Sequence, residues 1–499
     1  MKALGLKEFW FITGSQHLYG EETLKQVNVH SEEIVTYIDG HDAIPCKLIF
    51  KPVVTTPSEI TNIIEEANAD KKCTGVITWM HTFSPSKMWI AGFKILNKPL
   101  LHLHTQYNRD IPWDSIDMDF MNLNQAAHGD REHGFICTRM GIARKVIAGY
   151  WKDERVLGRI GTWMRAAAAW SESKNLKVAR FGDNMREVAV TEGDKVEAQI
   201  KLGWSVNGYG VGNLVKYIND VSEDEIDNLM KEYDEKYVIS SETRNDADKM
   251  SSIREQARIE AGMKKFLSEG GFGAFTTTFE DLHGIKQLPG LAVQRLMEQG
   301  YGFGGEGDWK TSALTRIMKY MATGLQGGTS FMEDYTYHFE PGNEMVLGAH
   351  MLEVCPTLAA DKPKIEVHPL GIGGKEDPAR IVFNGDAGKA INVTIIDLGN
   401  RFRMIVHELN MVKVETPMPN LPVARVLWKL EPDIYTGAEA WILAGGAHHT
   451  CLSYSLTTEH LSDFAEMAGM EFVLINKDTN IYSLKNELRM NEIEWKLKS

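Results

Sequence analysis

Tyr301–Lys310 reads YGFGGEGDWK and Thr329–His350 reads TSFMEDYTYHFEPGNEMVLGAH, with a helical interlude between them. The first segment has a short apolar run, a glycine-rich loop and a helix start, as one unit of a parallel α/β layer does. The second has turn residues, Glu340-Pro341-Gly342-Asn343, flanked by strand formers: Phe331, Tyr335, Tyr337 and Phe339 before, Met345, Val346 and Leu347 after. A hairpin symmetric about Pro341-Gly342 sets Glu333 directly opposite His350, unless a one-residue bulge breaks the register. Opposed side chains share a face, so the pair can hold one cation; the plainer alternative is a surface Glu-His pair.

Working back towards the N-terminus, strand-like and helix-like patterns alternate. Glu8–Thr13, Cys46–Phe50, Gly75–Trp79 and Pro99–Leu103 read as strands separated by room for helices. In Ser58–Ala67, residues Ile60, Ile63, Ile64 and Ala67 fall on one helix face. A helical pattern from about Asp153 to Lys174 ends this region. Lys177–Met185 restarts the alternation, and Phe272–Phe279 reads as a further strand. From Gly327 onward alternation dominates, in Ile365–Leu370, Ile391–Leu398 and Arg403–His407, with Gly, Pro and Asn between. The expected fold is therefore two doubly wound, Rossmann-like α/β domains, 1–175 and 176–326, followed by a mostly antiparallel β-barrel domain, 327–499.

A formal net charge of −14 argues against non-specific nucleic-acid binding. No apolar run approaches membrane-spanning length, and Met1–Lys7 lacks the apolar stretch of a signal peptide, so a cytoplasmic protein without membrane association is expected. The cysteines, Cys46, Cys73, Cys137, Cys355 and Cys451, are scattered and read as reduced, buried thiols.

Gly302-Phe303-Gly304-Gly305-Glu306-Gly307 matches a dinucleotide loop, but the carboxylate inside it would repel a pyrophosphate. A glutamate kept ionised by a helix N-terminus, as a metal ligand or base requires, fits better. Gly374-Lys375 is followed by Glu376, His407-Glu408 lacks the second histidine of a zinc-protease helix, and no serine elbow is present. His448-His449 lies in a glycine-rich loop, where one ring can meet a metal while its neighbour reaches a ligand. With Glu306, Glu333 and His350 it makes an oxygen- and nitrogen-rich set that suits Mn²⁺ or a similar ion. Gly14–Gly20, after the first strand, is a candidate hydroxyl-reading loop through Gln16 and Tyr19, or else a plain turn. His128, in the polar cluster Asn122–Asp130, is open between a site residue and a solvated histidine.

These stretches together carry a resemblance. Thr13–Gly20, Asn124–Gly129, Gly304–Trp309, Phe331–Tyr335 and Gly445–Thr450 make the chain similar to bacterial L-arabinose isomerases along nearly its whole length. The resemblance implies an Mn²⁺-dependent aldose–ketose isomerase, converting L-arabinose to L-ribulose and often D-galactose to D-tagatose. It implies one Mn²⁺ per subunit on Glu306, Glu333, His350 and His449, with Glu306 and Glu333 moving the proton. Gln16, Leu18, Met185, Phe279, Phe331 and His448 would line the sugar site. It further implies a homohexamer in which Gln125 and His128 reach a neighbouring subunit's site. Two rivals stand beside it: a metalloisomerase of L-fucose type, and a sugar-binding protein without catalysis.

Overall fold

The computed structural model describes residues 2–498 and divides into two compact units. One holds the chain up to Ser171 with Ser462–Met467; the other holds the remainder.

The first unit is built on a parallel sheet of β1 (Glu8–Gly14), β2 (Lys47–Phe50), β3 (Cys73–Met80), β4 (Leu100–His104) and β5 (Lys145–Ala148). Their order is β2-β1-β3-β4-β5. The helix Pro57–Ala69 starts from a capping box, in which Thr56 accepts from Glu59 N and Glu59 reaches back to the Thr56 N–H. Its Ile60, Ile63, Ile64 and Ala67 are buried as the spacing predicts, packed with Trp10, Ile12 and Val76 of the sheet. Strand order reverses direction between β1 and β3, and in such sheets ligands meet the carboxyl ends of the strands at that point.

The second unit contains another parallel sheet, β6 (Lys177–Phe181), β7 (Ser205–Tyr209), β8 (Ala274–Thr277) and β9 (Gly302–Gly304), in the order β7-β6-β8-β9. It continues into β10 (Thr329–His338) and β11 (Met345–Ala349), the ribbon β12 (Lys364–Val367) and β13 (Ala379–Val382), then β14 (Gly388–Asp397), β15 (Phe402–Val412), β16 (Arg425–Leu430), β17 (His449–Ser453) and β18 (Glu471–Ile475). Hydrogen bonding runs β14-β17-β10-β11-β16-β15 and back to β14, which closes an antiparallel six-stranded barrel, with β18 added parallel to β15. Met332, Val346, Leu409, Trp428 and Leu452 share one buried cluster with Val354 and Ile365. The fold class expected from the pattern is the one observed.

One expectation fails. Near the turn the β10–β11 hairpin keeps the symmetric register, Thr336 facing Leu347 and His338 facing Met345, but a bulge lies between Asp334 and Thr336. Beyond it Glu333 faces Ala349, not His350. The extra residue, Tyr335, shifts the remaining pairs by one. The partner directly across from Glu333 is instead His449 on the other side, in β17.

Candidate metal centre

The centre starts where β9 ends. Glycine is needed at Gly304 because a Cβ there would sit 2.6 Å from the Asp308 carbonyl oxygen, and at Gly307 because φ is +79° and a Cβ would lie 2.5 Å from Asn184 Cα. Close packing, not phosphate binding, accounts for these glycines. Between them Glu306 adopts φ +59°, a conformation costing a non-glycine residue roughly 1–3 kcal/mol. It is held there from outside: Met185 N donates to the Glu306 carbonyl at 3.0 Å, and Gly307 N donates to the Thr277 carbonyl at 3.1 Å. The carboxylate capping the helix Trp309–Met321 is Asp308, whose Oδ1 accepts from Lys310 N and Thr311 N. Glu306 lies just before that cap.

The other ligand candidates come from the barrel. Glu333 on β10 and His449 on β17 project from the same face of opposed strands, and His350 follows the end of β11. Glu306 Oε2 lies 3.7 Å from His449 Nε2 and 3.8 Å from His448 Nε2, and Glu333 Oε2 lies 3.9 Å from His350 Nε2. Donor atoms of Glu306, His350 and His449 all lie within 4.8 Å of one another, as do those of Glu333, His448 and His449.

Each of two rings is aimed by a carboxylate. His350 donates from Nδ1 to Glu353 at 2.5 Å and His449 from Nδ1 to Asp308 at 3.2 Å, which turns both Nε2 atoms inward. Phe331, fully buried, packs edge-on under both rings, with centroids 4.9 Å and 5.2 Å away. Burial opposes a charge on His350, yet the carboxylates around it, Glu353 first and then Glu333 and Glu306, together raise the ring's pKa. His448 beside Glu306 holds that carboxyl below the usual range, and Glu306 in turn raises His448. Burial pushes the neighbouring Asp334 carboxyl up to about 7, against a hydrogen bond from Asn392.

His449 Nε2 is buried and has no hydrogen-bond partner, a costly state that a divalent cation would relieve. Two carboxylates and two or three imidazoles without sulfur are the donors that Mn²⁺ and its neighbours accept. The residues present therefore fit such an ion.

Residues 3–175 match the L-arabinose isomerase N-terminal domain, 177–324 the central domain and 328–471 the C-terminal domain. The L-arabinose isomerase of Geobacillus stearothermophilus is 67% identical over 99% of this chain and 100% of its own length. Those of Bacillus subtilis (64% identical, 98% of both chains) and Serratia proteamaculans (58%, 100% of this chain and 99% of its own) are similar end to end. The chain belongs to the L-arabinose isomerase family.

The remaining residues that the L-arabinose isomerase resemblance singles out fall into two groups. Met185 follows β6 and Phe279 follows β8, so both lie with Glu306 on loops at the carboxyl ends of one parallel sheet. Arg186 ties these loops together, donating to Glu280 at 2.9 Å and Asp281 at 2.8 Å. Phe279 and Glu306 line a common cavity. Gln16, Leu18, Gln125 and His128 belong to the first unit. There the Gln125 amide donates to the Tyr19 hydroxyl at 3.3 Å, joining the loop after β1 to the start of the helix Ala126–Arg139. Leu18 is 83% exposed, and His128 packs against Phe83 with centroids 4.9 Å apart. Reading the sequence missed Asp308, Glu353 and Arg186. Asp308 carries a helix-cap signal, whereas nothing local marks the other two.

Proposed function

We propose that this chain interconverts L-arabinose and L-ribulose, the first step of L-arabinose catabolism, with D-galactose and D-tagatose as a secondary pair and one Mn²⁺ per subunit. The observation that carries the reading is the convergence of Glu306, Glu333, His350 and His449 around a buried, unpartnered imidazole nitrogen.

Aldose and ketose differ by one proton on carbon and one on oxygen. A carboxylate removes the proton from C2, giving a cis-enediol, and returns it to C1, while the O2 proton passes to O1. Glu306 and Glu333 are the carboxylates placed for this. A divalent cation, when bound, stabilises negative charge developing on O1 and O2. Glu306, Glu333, His350 and His449 would hold it, with Glu353 and Asp308 fixing the two rings. His448, 40% exposed and beside Glu306, is placed to donate to a sugar hydroxyl, and Met185, Phe279 and Phe331 shape the site's apolar side.

Gln16 and Leu18 would also line the sugar site, and Gln125 and His128 would reach the site of a neighbouring subunit in a homohexamer. Free, buried cysteines throughout agree with a cytoplasmic setting. No described helix is long and apolar enough to cross a membrane. The test is to strip the protein of metal, restore Mn²⁺ and assay L-arabinose, D-galactose and L-fucose for ketose. Metal-dependent L-ribulose formation with L-arabinose preferred is expected. Preference for L-fucose, or tight binding without conversion, would refute the reading.

A further inference from the structure

The cavity beside the metal centre measures about 30 Å³ and is lined by the polar side chains of Thr277, Glu306, His350 and Glu353 together with the apolar ones of Phe279, Leu282, Leu288 and Pro289. Leu282 and Leu288 belong to one tight segment, Leu282–Leu288, that follows Phe279, and both are almost wholly buried in a cluster with Ile285, Phe303 and Phe331. Leu282 and Leu288 are backed by this close-packed cluster, so a bulkier ligand group can pass them only if the wall yields.

What holds the wall is a strap from the barrel region. Between β12 and β13 the chain runs through Gly371-Ile372-Gly373-Gly374-Lys375-Glu376, the stretch that lacks the serine or threonine of a phosphate loop. Lys375 Nζ donates to the Leu282 carbonyl at 2.7 Å and to the Ile285 carbonyl at 2.9 Å. Glu376 N donates to the Lys286 carbonyl at 3.1 Å, and Leu370 packs on the cluster containing Leu288. The ammonium thus caps two carbonyls of the wall segment from behind. A Cβ at Gly373 would already be in van der Waals contact with Leu288 at 3.6 Å, so the strap lies against the wall.

We propose that Leu282 and Leu288 are specificity-determining residues that meet the end of the sugar remote from the reacting carbons, and that Lys375 is the positioning residue that fixes them. This rests on the function proposed above. L-Arabinose and D-galactose share the configuration of C2 to C4 and differ by the hydroxymethyl at C5, so a fixed apolar wall favours the pentose. A loosened one admits the hexose.

The test compares kcat and KM for L-arabinose and D-galactose, with Mn²⁺ present, in the wild type, Leu288→Val, Lys375→Met and Lys375→Arg. Leu288→Val, which removes one methylene, is expected to shift the kcat/KM ratio towards D-galactose by about three- to tenfold. Lys375→Met keeps the stem but loses the donors, and should shift the ratio in the same direction with kcat for L-arabinose within about twofold; Lys375→Arg should restore the wild-type ratio. An unchanged ratio in Leu288→Val overturns the wall. A shift in Leu288→Val with none in Lys375→Met, whose melting temperature alone falls, overturns the positioning role. Failure of the wild type to isomerise either sugar would instead overturn the proposed function.

Discussion

His350 donates from Nδ1 to Glu353 at 2.5 Å, and its Nε2 faces Glu333 at 3.9 Å. One carboxylate fixes the ring while another shares what the ring binds. Glu353 also accepts from Leu352 N at 3.0 Å, so its own position is set by the backbone.

Glu353→Gln keeps the shape and removes the charge. Mn²⁺ affinity should fall about 10- to 100-fold, as for other partners of metal-ligating histidines. Titration of metal-free protein with Mn²⁺, followed by electron paramagnetic resonance of the free ion, checks this. An unchanged affinity would mean that Glu353 does not orient the ring.

Gly348 sits on β11, paired with Val426 on β16, and a Cβ there would lie 1.9 Å from Trp428 Cζ3 and 3.0 Å from Met332 Sδ. Gly348→Ala should destabilise the barrel by about 1–3 kcal/mol through overpacking. Because Met332 and Ala349 flank the metal centre in sequence, residual activity should fall as well. Thermal unfolding followed by circular dichroism, with activity measured in parallel, reads both.

His407 is buried and donates to the Glu431 carbonyl at 2.7 Å; burial lowers its pKa from 6.5 to about 4. Below pH 6.5 the unfolded chain gains a proton here that the folded protein does not. The stability from keeping this ring neutral is present above about 6.5 and is lost as pH falls towards 4, by roughly 3 kcal/mol in all. His407→Gln should flatten the urea-unfolding stability profile between those values. A profile parallel to wild type would show that the ring takes up its proton without unfolding cost.

Much of this was legible in the chain itself. Ile60, Ile63, Ile64 and Ala67 declared a helix face because period and burial coincide, and alternation after Gly327 announced strands, although in Ile391–Ile396 and Arg403–His407 the polar members Asn392, Thr394, Arg403 and His407 are buried as well. The Glu333 register was not legible. Symmetry about Pro341-Gly342 holds only as far as the bulge at Tyr335, between Asp334 and Thr336, and a bulge is a balance of packing against β11 and β17 that no local residue encodes. The partnership of Glu333 with His449 joins residues 116 positions apart, so only the closed barrel reveals it. Helices Ile434–Leu443, Thr458–Ala468 and Ile481–Lys498 were also hidden behind the strand pattern of the last region. The glycines around Glu306 pointed to a close approach of backbone, but whether to a phosphate or to Asp308 and Asn184 depended on the packing.

The most direct test of the account compares Mn²⁺ stoichiometry and L-arabinose turnover in the wild type and in Glu306→Gln, Glu333→Gln and His449→Gln. One Mn²⁺ per chain is expected in the wild type, with weakened binding in all three variants and with L-ribulose formation lost in the two glutamate variants even at saturating Mn²⁺. Near wild-type turnover in either glutamate variant would contradict the proton-transfer assignment, and full Mn²⁺ binding by His449→Gln would contradict the metal centre.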